Sequence, residues 1–328
     1  MRAREARAAR EGRMPIVQRL ATQLPVRLLD PIRAVRPGLE LVEVPVHGPI
    51  PEGPPFDRLD ALLTLPTGTP NLADVLARGV RWVHAYGTGV NGFPFELLRG
   101  VPFTCSRGAS ATAISEWVIA VLLEAEKRLL EHWLSSPPPV WHRAELGTLA
   151  GRTLALVGLG GIGQAIARRA LPFGMRVKAF RRSRSASPIP EVELVSNLAA
   201  LLRDADHIVI AAPETQATRH LFDDRAFACV KPGAHLVNIA RGGLVDQSAL
   251  ERALERGQIG RATLDCVDPE PLPEGHWLYR HPRVRVSAHI SWSGADSNAG
   301  ILERFLENLE RFERGEPLAY LVDPGEGY

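Results

Sequence analysis

The stretch Leu154-Ala-Leu-Val-Gly158-Leu-Gly160-Gly-Ile-Gly163-Gln-Ala-Ile-Ala-Arg-Arg169 decides how the rest of the chain is read. A run of small and branched apolar residues ends at Gly158, and an Ala/Ile-rich helical pattern begins near Gly161. Between them Gly158, Gly160 and Gly163 stand in the order Gly-x-Gly-x-x-Gly, the mark of a dinucleotide-binding βαβ unit. The first glycine permits a tight turn and the second lets backbone approach a pyrophosphate. The third lets the helix pack close to the strand, so that the amides of Gly161, Ile162 and Gly163 open the helix toward the phosphates. A strand before and a helix after separate this pattern from an ordinary glycine-rich turn.

Working outward, the apolar run 175–180 is the second strand of the unit. In NAD-binding versions an Asp or Glu at its end accepts hydrogen bonds from the adenosine ribose. Here the chain reads Arg181-Arg182-Ser183-Arg184, with no acid. A carboxylate would repel a 2′-phosphate, whereas Arg pairs with it through charge-assisted, often bidentate bonds. The expected cofactor is therefore NADP(H) in preference to NAD(H). The alternative is a solvated basic loop that merely lacks the acid.

The 328 residues suit two domains of ordinary size, and 45% hydrophobic with 23% charged residues is a globular composition. Apolar runs stay short of membrane-spanning length, and no secretory hydrophobic segment follows the start. Cys105, Cys229 and Cys266 lie far apart, with neither disulfide nor metal-ligand spacing, so a metal site is not expected and a reducing cytoplasm is the expected compartment. The formal charge of +2 is local: residues 1–13 hold five Arg and two Glu, so the remainder carries −1 and gives no argument for nucleic acid. Residues 1–13, ahead of Met14, read as a dispensable or disordered extension; their two Glu and lack of Ser argue against a transit peptide.

From about residue 14 to 108 short apolar runs alternate with helical stretches. Strands are expected at 26–29, 39–42, 61–64 and 80–83, and short helices at 71–78 and 94–99, which suggests a small parallel α/β sheet. Residues 109–133 read as one amphipathic helix without internal Pro or Gly, ending before Ser135-Ser-Pro-Pro-Pro139. Further strands are expected at 207–211, 234–239, 262–264 and 284–288, with a final helix at 298–314. The expected division is a first domain of 14–108 plus 297–328 and a dinucleotide-binding domain of 109–296.

Four polar residues stand at or just beyond the ends of expected strands. Arg241 follows Leu236-Val-Asn-Ile-Ala240 in a Gly-rich loop, Asp265 and Glu270 lie in a proline-bounded loop, and His289 ends Val286-Ser-Ala. An Arg, a carboxylate and a His on the carboxyl edge of one parallel sheet suit hydride transfer to a 2-oxo acid. Arg clamps the substrate carboxylate, His supplies the proton that carbonyl reduction needs, and a carboxylate keeps His protonated. Singly each has a plainer reading: Arg241 as a cap on carbonyls, Glu270 as a solvated loop acid, His289 as one of ten histidines.

Taken together, Gly158–Gly163, Asn238-Ile-Ala-Arg241-Gly-Gly, Asp265-Cys-Val-Asp-Pro-Glu270-Pro-Leu-Pro and Ala288-His289-Ile resemble the D-isomer-specific 2-hydroxyacid dehydrogenases, over residues 60–317. The resemblance implies two Rossmann-like or flavodoxin-like α/β domains with parallel sheets and an active-site cleft between them. It implies that Arg241 binds and polarises the oxo acid, that His289 is the general acid/base, and that Glu270 rather than Asp268 is its partner. Asp265 is implied to lie near the nicotinamide, with Ala212, Pro213, Thr218 and Ala240 lining the cofactor; a His common in the family is replaced by Ala211. Thr88 and Gly89, in the turn after the strand ending at Val83, are implied to hold the substrate carboxylate with backbone amides, in the manner of an anion-binding nest.

Residues 63–68 lack the basic residue that phosphoglycerate dehydrogenases use, so an unphosphorylated substrate such as glyoxylate or hydroxypyruvate is expected. Tyr86 and Trp292 either restrict the substrate or only pack an interface. Trp141-His142 is implied to belong to an arm packing on a second subunit, and hence to a homodimer. The same fold and triad occur in nucleotide-sensing corepressors that bind peptides; the lack of extended low-complexity tails favours the enzyme.

Overall fold

The structure, a computed structural model, describes residues 16–137, 141, 144–182 and 185–328. The expectations placed on residues 1–13, His142 and Ser183 lie outside the described residues. Buried runs of branched apolar residues make two sheets in which every strand pair is parallel. The first contains β1 (Arg19–Thr22), β2 (Glu40–Glu43), β3 (Ala61–Thr64), β4 (Val83–Ala85) and β5 (Phe103–Cys105), in the order β2-β1-β3-β4-β5. The second contains β6 (Thr153–Val157), β7 (Arg176–Phe180), β8 (Glu193–Leu194), β9 (His207–Ile210), β10 (Ala234–Asn238), β11 (Ile259–Leu264) and β12 (Val284–Val286), in the order β12-β11-β10-β9-β6-β7-β8.

The helices are α1 (Asp30–Val35), α2 (Leu72–Ala77), α3 (Ala111–Lys127), α4 (Leu129–His132), α5 (Gly161–Ala170), α6 (Leu198–Leu202), α7 (Asp224–Ala228), α8 (Gln247–Glu255) and α9 (Ser297–Glu313). Two compact units result. One runs through Ala109 and resumes over Ala295–Tyr328; the other is Ser110–Gly294. In the second unit the chain leaves β6 toward β7 and β8, then returns to add β9 on the other side. Strand order thus reverses at the carboxyl ends of β6 and β9, the position where doubly wound sheets bind nucleotides. In the first unit the order reverses between β1 and β3, the flavodoxin-like arrangement.

The C-terminal helix belongs with the first sheet for a packing reason. Trp82, fully buried before β4, stacks on Phe305 (5.2 Å, 10°) and Phe312 (5.6 Å, 27°) of α9. Large aromatic faces of this kind are worth more to the fold than any local signal in the helix itself.

Several elements differ from expectation. Residues 26–29 form a 3₁₀ turn instead of a strand, because Pro25 fixes its entry, Leu28 N–H donates to the Pro25 carbonyl at 2.9 Å, and Pro31 starts α1 directly after. The strand lies earlier, at β1, whose Arg-Leu-Ala-Thr sequence has little β-branched content but pairs with both β2 and β3. The expected single helix 109–133 breaks at Arg128, which takes a left-handed backbone (φ 45°, ψ 47°) between α3 and α4. No Gly or Pro marks that break. The returning chain holds it: Lys127 Nζ donates to the Gly147 carbonyl at 2.8 Å, and Gly147 N–H to the Glu126 carbonyl at 3.0 Å.

Within β4 a histidine is fully enclosed. His84 Nδ1 and Nε2 lie 2.7 and 3.0 Å from the Thr104 and Ser106 hydroxyls, and burial lowers its pKa to about 3. His235, equally enclosed, is pushed the same way by burial and by His207. Above the unfolded value of about 6.5, both states leave these rings neutral and their stability is fully present. Below it only the unfolded chain takes the proton, so stability falls by about 1.4 kcal/mol per pH unit for each ring until the folded ring protonates. Urea unfolding at pH 7, 6 and 5 is therefore expected to weaken steadily in the parent and less steeply in His84→Gln. Equal slopes in the two proteins would contradict this account.

Candidate active site

The glycine turn is built by contacts that leave no room for a side chain. Gly158 ends β6 with φ +103°, and a Cβ there would lie 2.6 Å from the Ala211 carbonyl oxygen. At Gly163, in the first turn of α5, a Cβ would meet the Gly158 carbonyl oxygen at 2.3 Å, so the helix sits directly on the strand end. Gly160, the extended N-cap residue, has nothing within 4 Å of its Cβ position and leaves one side of the turn open. The first N–H groups of α5, at Gly161, Ile162 and Gly163, have no acceptor within the helix. Backbone donors beside an open glycine face form a cradle that fits a pyrophosphate.

At the end of β7, Arg181 Nη2 donates to the Ser185 carbonyl (2.5 Å), the Ser185 hydroxyl (2.8 Å) and the Ala186 carbonyl (2.7 Å). Its Nε is buried without a partner. Arg181 therefore ties down the chain at Ser185 and Ala186, in a stretch (181–187) whose sequence contains no acid. Beyond β9, Ala212 and Pro213 lead into a turn pinned by Thr218, whose hydroxyl donates to the Pro213 carbonyl (2.8 Å) and accepts from Thr215 N–H (2.8 Å).

The polar residues of the second unit converge at the carboxyl ends of β10, β11 and β12. Asn238, the last residue of β10, shapes the Arg241 loop through both ends of its amide. Its Nδ2 donates to the Arg241 carbonyl at 2.8 Å, and its Oδ1 accepts from Ala240 N–H at 3.1 Å. Arg241 Nη1 donates to the Ala240 carbonyl (2.6 Å), which also accepts from Cys266 Sγ (3.4 Å). Burial, reinforced by the Asp265 and Glu270 carboxylates, pushes the Cys266 thiol up and keeps it neutral.

His289 takes a left-handed backbone (φ 53°), a conformation costly for a residue with a Cβ. Asp265, 1% exposed, secures it on both sides. Its carbonyl accepts from His289 N–H (3.0 Å); its carboxylate accepts from Ser287 Oγ (2.6 Å), Ile290 N–H (2.9 Å) and Ser291 N–H (2.9 Å). The His289 ring then lies with Nδ1 2.9 Å from Glu270 Oε2, while Glu270 Oε1 accepts from Val267 N–H at 3.1 Å. Asp268 turns elsewhere, accepting from Arg219 Nη2 at 3.0 Å. A carboxylate bonded to one imidazole nitrogen sets the ring's orientation and leaves Nε2 to exchange a proton.

Thr88 and Gly89 belong to the first unit, after β4. The Thr88 hydroxyl donates to the Ser106 carbonyl (3.1 Å), and the turn opens with Gly87, where a Cβ would press on Pro66 Cγ at 2.8 Å. Tyr86 is tied within the same unit by a hydrogen bond from its hydroxyl to Asn298 Oδ1. In the second unit, Trp292 stays 42% exposed on the loop after His289. Asn238 opens the stretch Asn238-Ile-Ala-Arg241-Gly-Gly, but Ser287 and Arg219, which also orient groups here, carry no motif of their own; only their hydrogen bonds reveal them.

With this geometry in place, residues 119–291 match the family described as D-isomer specific 2-hydroxyacid dehydrogenase, NAD binding domain. The glyoxylate reductase of Thermococcus kodakarensis is 35% identical over 258 residues, covering 74% of this chain and 77% of that protein. That of Thermococcus litoralis is 31% identical over 281 residues, 81% of this chain and 84% of its own length. A D-isomer specific 2-hydroxyacid dehydrogenase from Xanthobacter autotrophicus Py2, solved with NADPH and MES, superposes with a TM-score of 0.82 at 26% identity, covering 95% of this chain and all of that one.

Proposed function

The chain belongs to the D-isomer specific 2-hydroxyacid dehydrogenase family, an NAD(P)-dependent enzyme class, and from that premise we propose that it reduces small unphosphorylated 2-oxo acids, glyoxylate or hydroxypyruvate, preferentially with NADPH. The observation that carries the reading is the 2.9 Å contact between His289 Nδ1 and Glu270 Oε2 on the sheet edge that also bears Arg241. The glycine cradle at Gly158, Gly160 and Gly163 would hold the pyrophosphate, with Arg181 and Arg182 toward the adenosine and Ala212, Pro213, Thr218 and Ala240 lining the cofactor. The nicotinamide, when bound, supplies the hydride.

The chain's own residues do the rest. Arg241 pairs with the substrate carboxylate and draws electron density from the neighbouring carbonyl. Thr88 and Gly89 hold the carboxylate with backbone amides. His289 delivers a proton from Nε2 to the carbonyl oxygen, and Glu270 holds the ring in place as it does so. Asp265 positions His289 through the three bonds its carboxylate accepts. The names of the relatives support the substrate class, as does the absence of Lys, Arg or His in residues 63–68.

The test is oxidation of NADPH or NADH by purified protein over a panel of 2-oxo acids. The expected result is fastest turnover with glyoxylate or hydroxypyruvate and a lower KM for NADPH than for NADH. No turnover with any 2-oxo acid would overturn the proposal. Arg181→Asp removes a charge-assisted partner of a 2′-phosphate and is expected to raise KM for NADPH about 10- to 100-fold, with NADH little affected. Because Arg181 also holds its loop, Arg182→Ala serves as a second variant; equal use of both cofactors by the parent would refute the preference.

The three thiols are free, which suits a reducing cytoplasm, and fractionation of source cells would place the enzyme. Leu130 (72% exposed), Trp133 (78%), Leu134 (61%) and Trp141 (85%) crowd apolar surface into one short segment of the second unit. Such a patch is costly to leave in water, and we assign it to contact with a second copy of the chain. Light scattering is expected to give twice 35.9 kDa for the parent and a smaller mass for Trp133→Asp; a monomeric parent would reject the assignment.

A further inference from the structure

Cys266 has no part in the proposed reaction, yet its sulfur joins the two groups that do. One ligand atom each from Cys266, Glu270 and His289 lie within 4.8 Å of one another. We propose that this cluster is a site for a thiophilic divalent cation such as Zn²⁺ or Cd²⁺, and that a cation bound there stops turnover by taking the Glu270–His289 pair out of use. The inhibitory half rests on the acid–base role proposed for His289.

The donor set has the right chemistry. A thiolate, an imidazole and a carboxylate are the ligand types of three-residue zinc sites, which keep a fourth position open, and the sulfur selects against Mg²⁺ and Ca²⁺. Ligand bonds of about 2.0–2.3 Å at tetrahedral angles place two donors on one ion about 3.3–3.8 Å apart, so the cluster must close by about 1–1.5 Å at its widest. The freedom to close is unevenly spread, in a useful way. Cys266 is 1% exposed and held toward the Ala240 carbonyl, whereas the Glu270 and His289 side chains are 39% and 35% exposed on loops. The mobile ligands can move to the fixed one.

Competition from neighbours is small. The carboxylate of Asp265 is already engaged by Ser287, Ile290 and Ser291, and Asp268 by Arg219. When the thiol gives its proton to solvent, the Ala240 carbonyl keeps its bond from Arg241. The cation then occupies a His289 ring nitrogen and a Glu270 oxygen, so the hydrogen bond that orients the ring cannot form. No redox step is involved, and a chelator should reverse the effect.

CdCl₂ is titrated into the full-length parent, Cys266→Ala and, as a second variant in case the first folds poorly, Cys266→Val. Cd²⁺–thiolate ultraviolet absorbance and glyoxylate-dependent NADPH oxidation are followed, with Cys229→Ser as a control for the one thiol that is partly exposed. In the parent and in Cys229→Ser, absorbance is expected to rise with one equivalent as activity falls, and EDTA to restore both. In the Cys266 variants basal turnover persists, the absorbance is lost, and the half-inhibitory concentration rises more than about 100-fold, since an inner ligand should matter more than an outer-shell one. Absorbance that is absent in the parent, or unchanged in both Cys266 variants, overturns the site. Absorbance that depends on Cys266 without loss of turnover sustains the site and overturns the role given to His289.

Discussion

Replacing His289 by Ala is expected to lower kcat about 10²- to 10⁴-fold, the usual contribution of a positioned general acid. The side chain sits at the carboxyl end of β12, on a left-handed residue held by Asp265, with Nδ1 committed to Glu270 at 2.9 Å. Removing the ring removes the only proton donor assigned to the carbonyl oxygen, while Arg241 and the cofactor cradle stay intact. KM should therefore change far less than kcat. Because Ala is itself strained at φ 53°, His289→Asn is the companion variant: Asn tolerates that backbone but cannot act as an acid. Both variants should lose turnover to a similar degree with thermal stability close to the parent. Folded variants that keep full kcat would remove His289 from the mechanism. Glu270→Gln should cost less and alter the pH profile of kcat, since an amide can orient the ring but offers it no negative charge.

Asp265→Ala is expected to be the most destabilising single change near the site. Ser287 Oγ, Ile290 N–H and the N–H of Ser291, itself 4% exposed, would lose their acceptor together. At about 1–3 kcal/mol for each of the three donors left unpaired, a loss of about 3–9 kcal/mol follows, a large share of the roughly 5–15 kcal/mol that ordinarily holds a protein folded. The loop bearing His289 would also relax away from its left-handed turn, so kcat should fall although the His289–Glu270 pair is chemically intact. Asp265→Asn keeps one oxygen acceptor and should lie between parent and Ala in both readouts. Urea unfolding and steady-state kinetics check this together. A variant within 1 kcal/mol of the parent would deny the anchoring role, and a rise confined to KM for NADPH would point to cofactor contact as the main role of Asp265.

The dinucleotide unit was legible because its demands are local. A turn at φ +103°, and a helix packed so that a Cβ at Gly163 would lie 2.3 Å from the Gly158 carbonyl oxygen, admit only glycine, so Gly158 and Gly163 declare themselves in one dimension. Alternation of apolar runs with helical stretches likewise announced two parallel α/β sheets, and the order of Arg241, Glu270 and His289 on strand ends named the candidates for chemistry. Elements without local punctuation escaped notice. β1 is fixed by pairing with β2 and β3 rather than by its own composition, β5 and the two-residue β8 are too short to stand out, and the break at Arg128 depends on chain returning at Gly147.

What residue order alone determined, then, is the class of fold and the candidate residues for proton transfer and carboxylate binding, because backbone sterics and apolar periodicity act over a few residues. The tertiary structure decided how those groups are held and what else they meet. Asp265 became an anchor through donors more than twenty residues away, Arg181 turned its guanidinium on its own loop, and Cys266 came beside Glu270 and His289. The Asp265 and Cys266 arrangements depend on where separate strand ends meet in space, and no local pattern in the chain encodes that meeting.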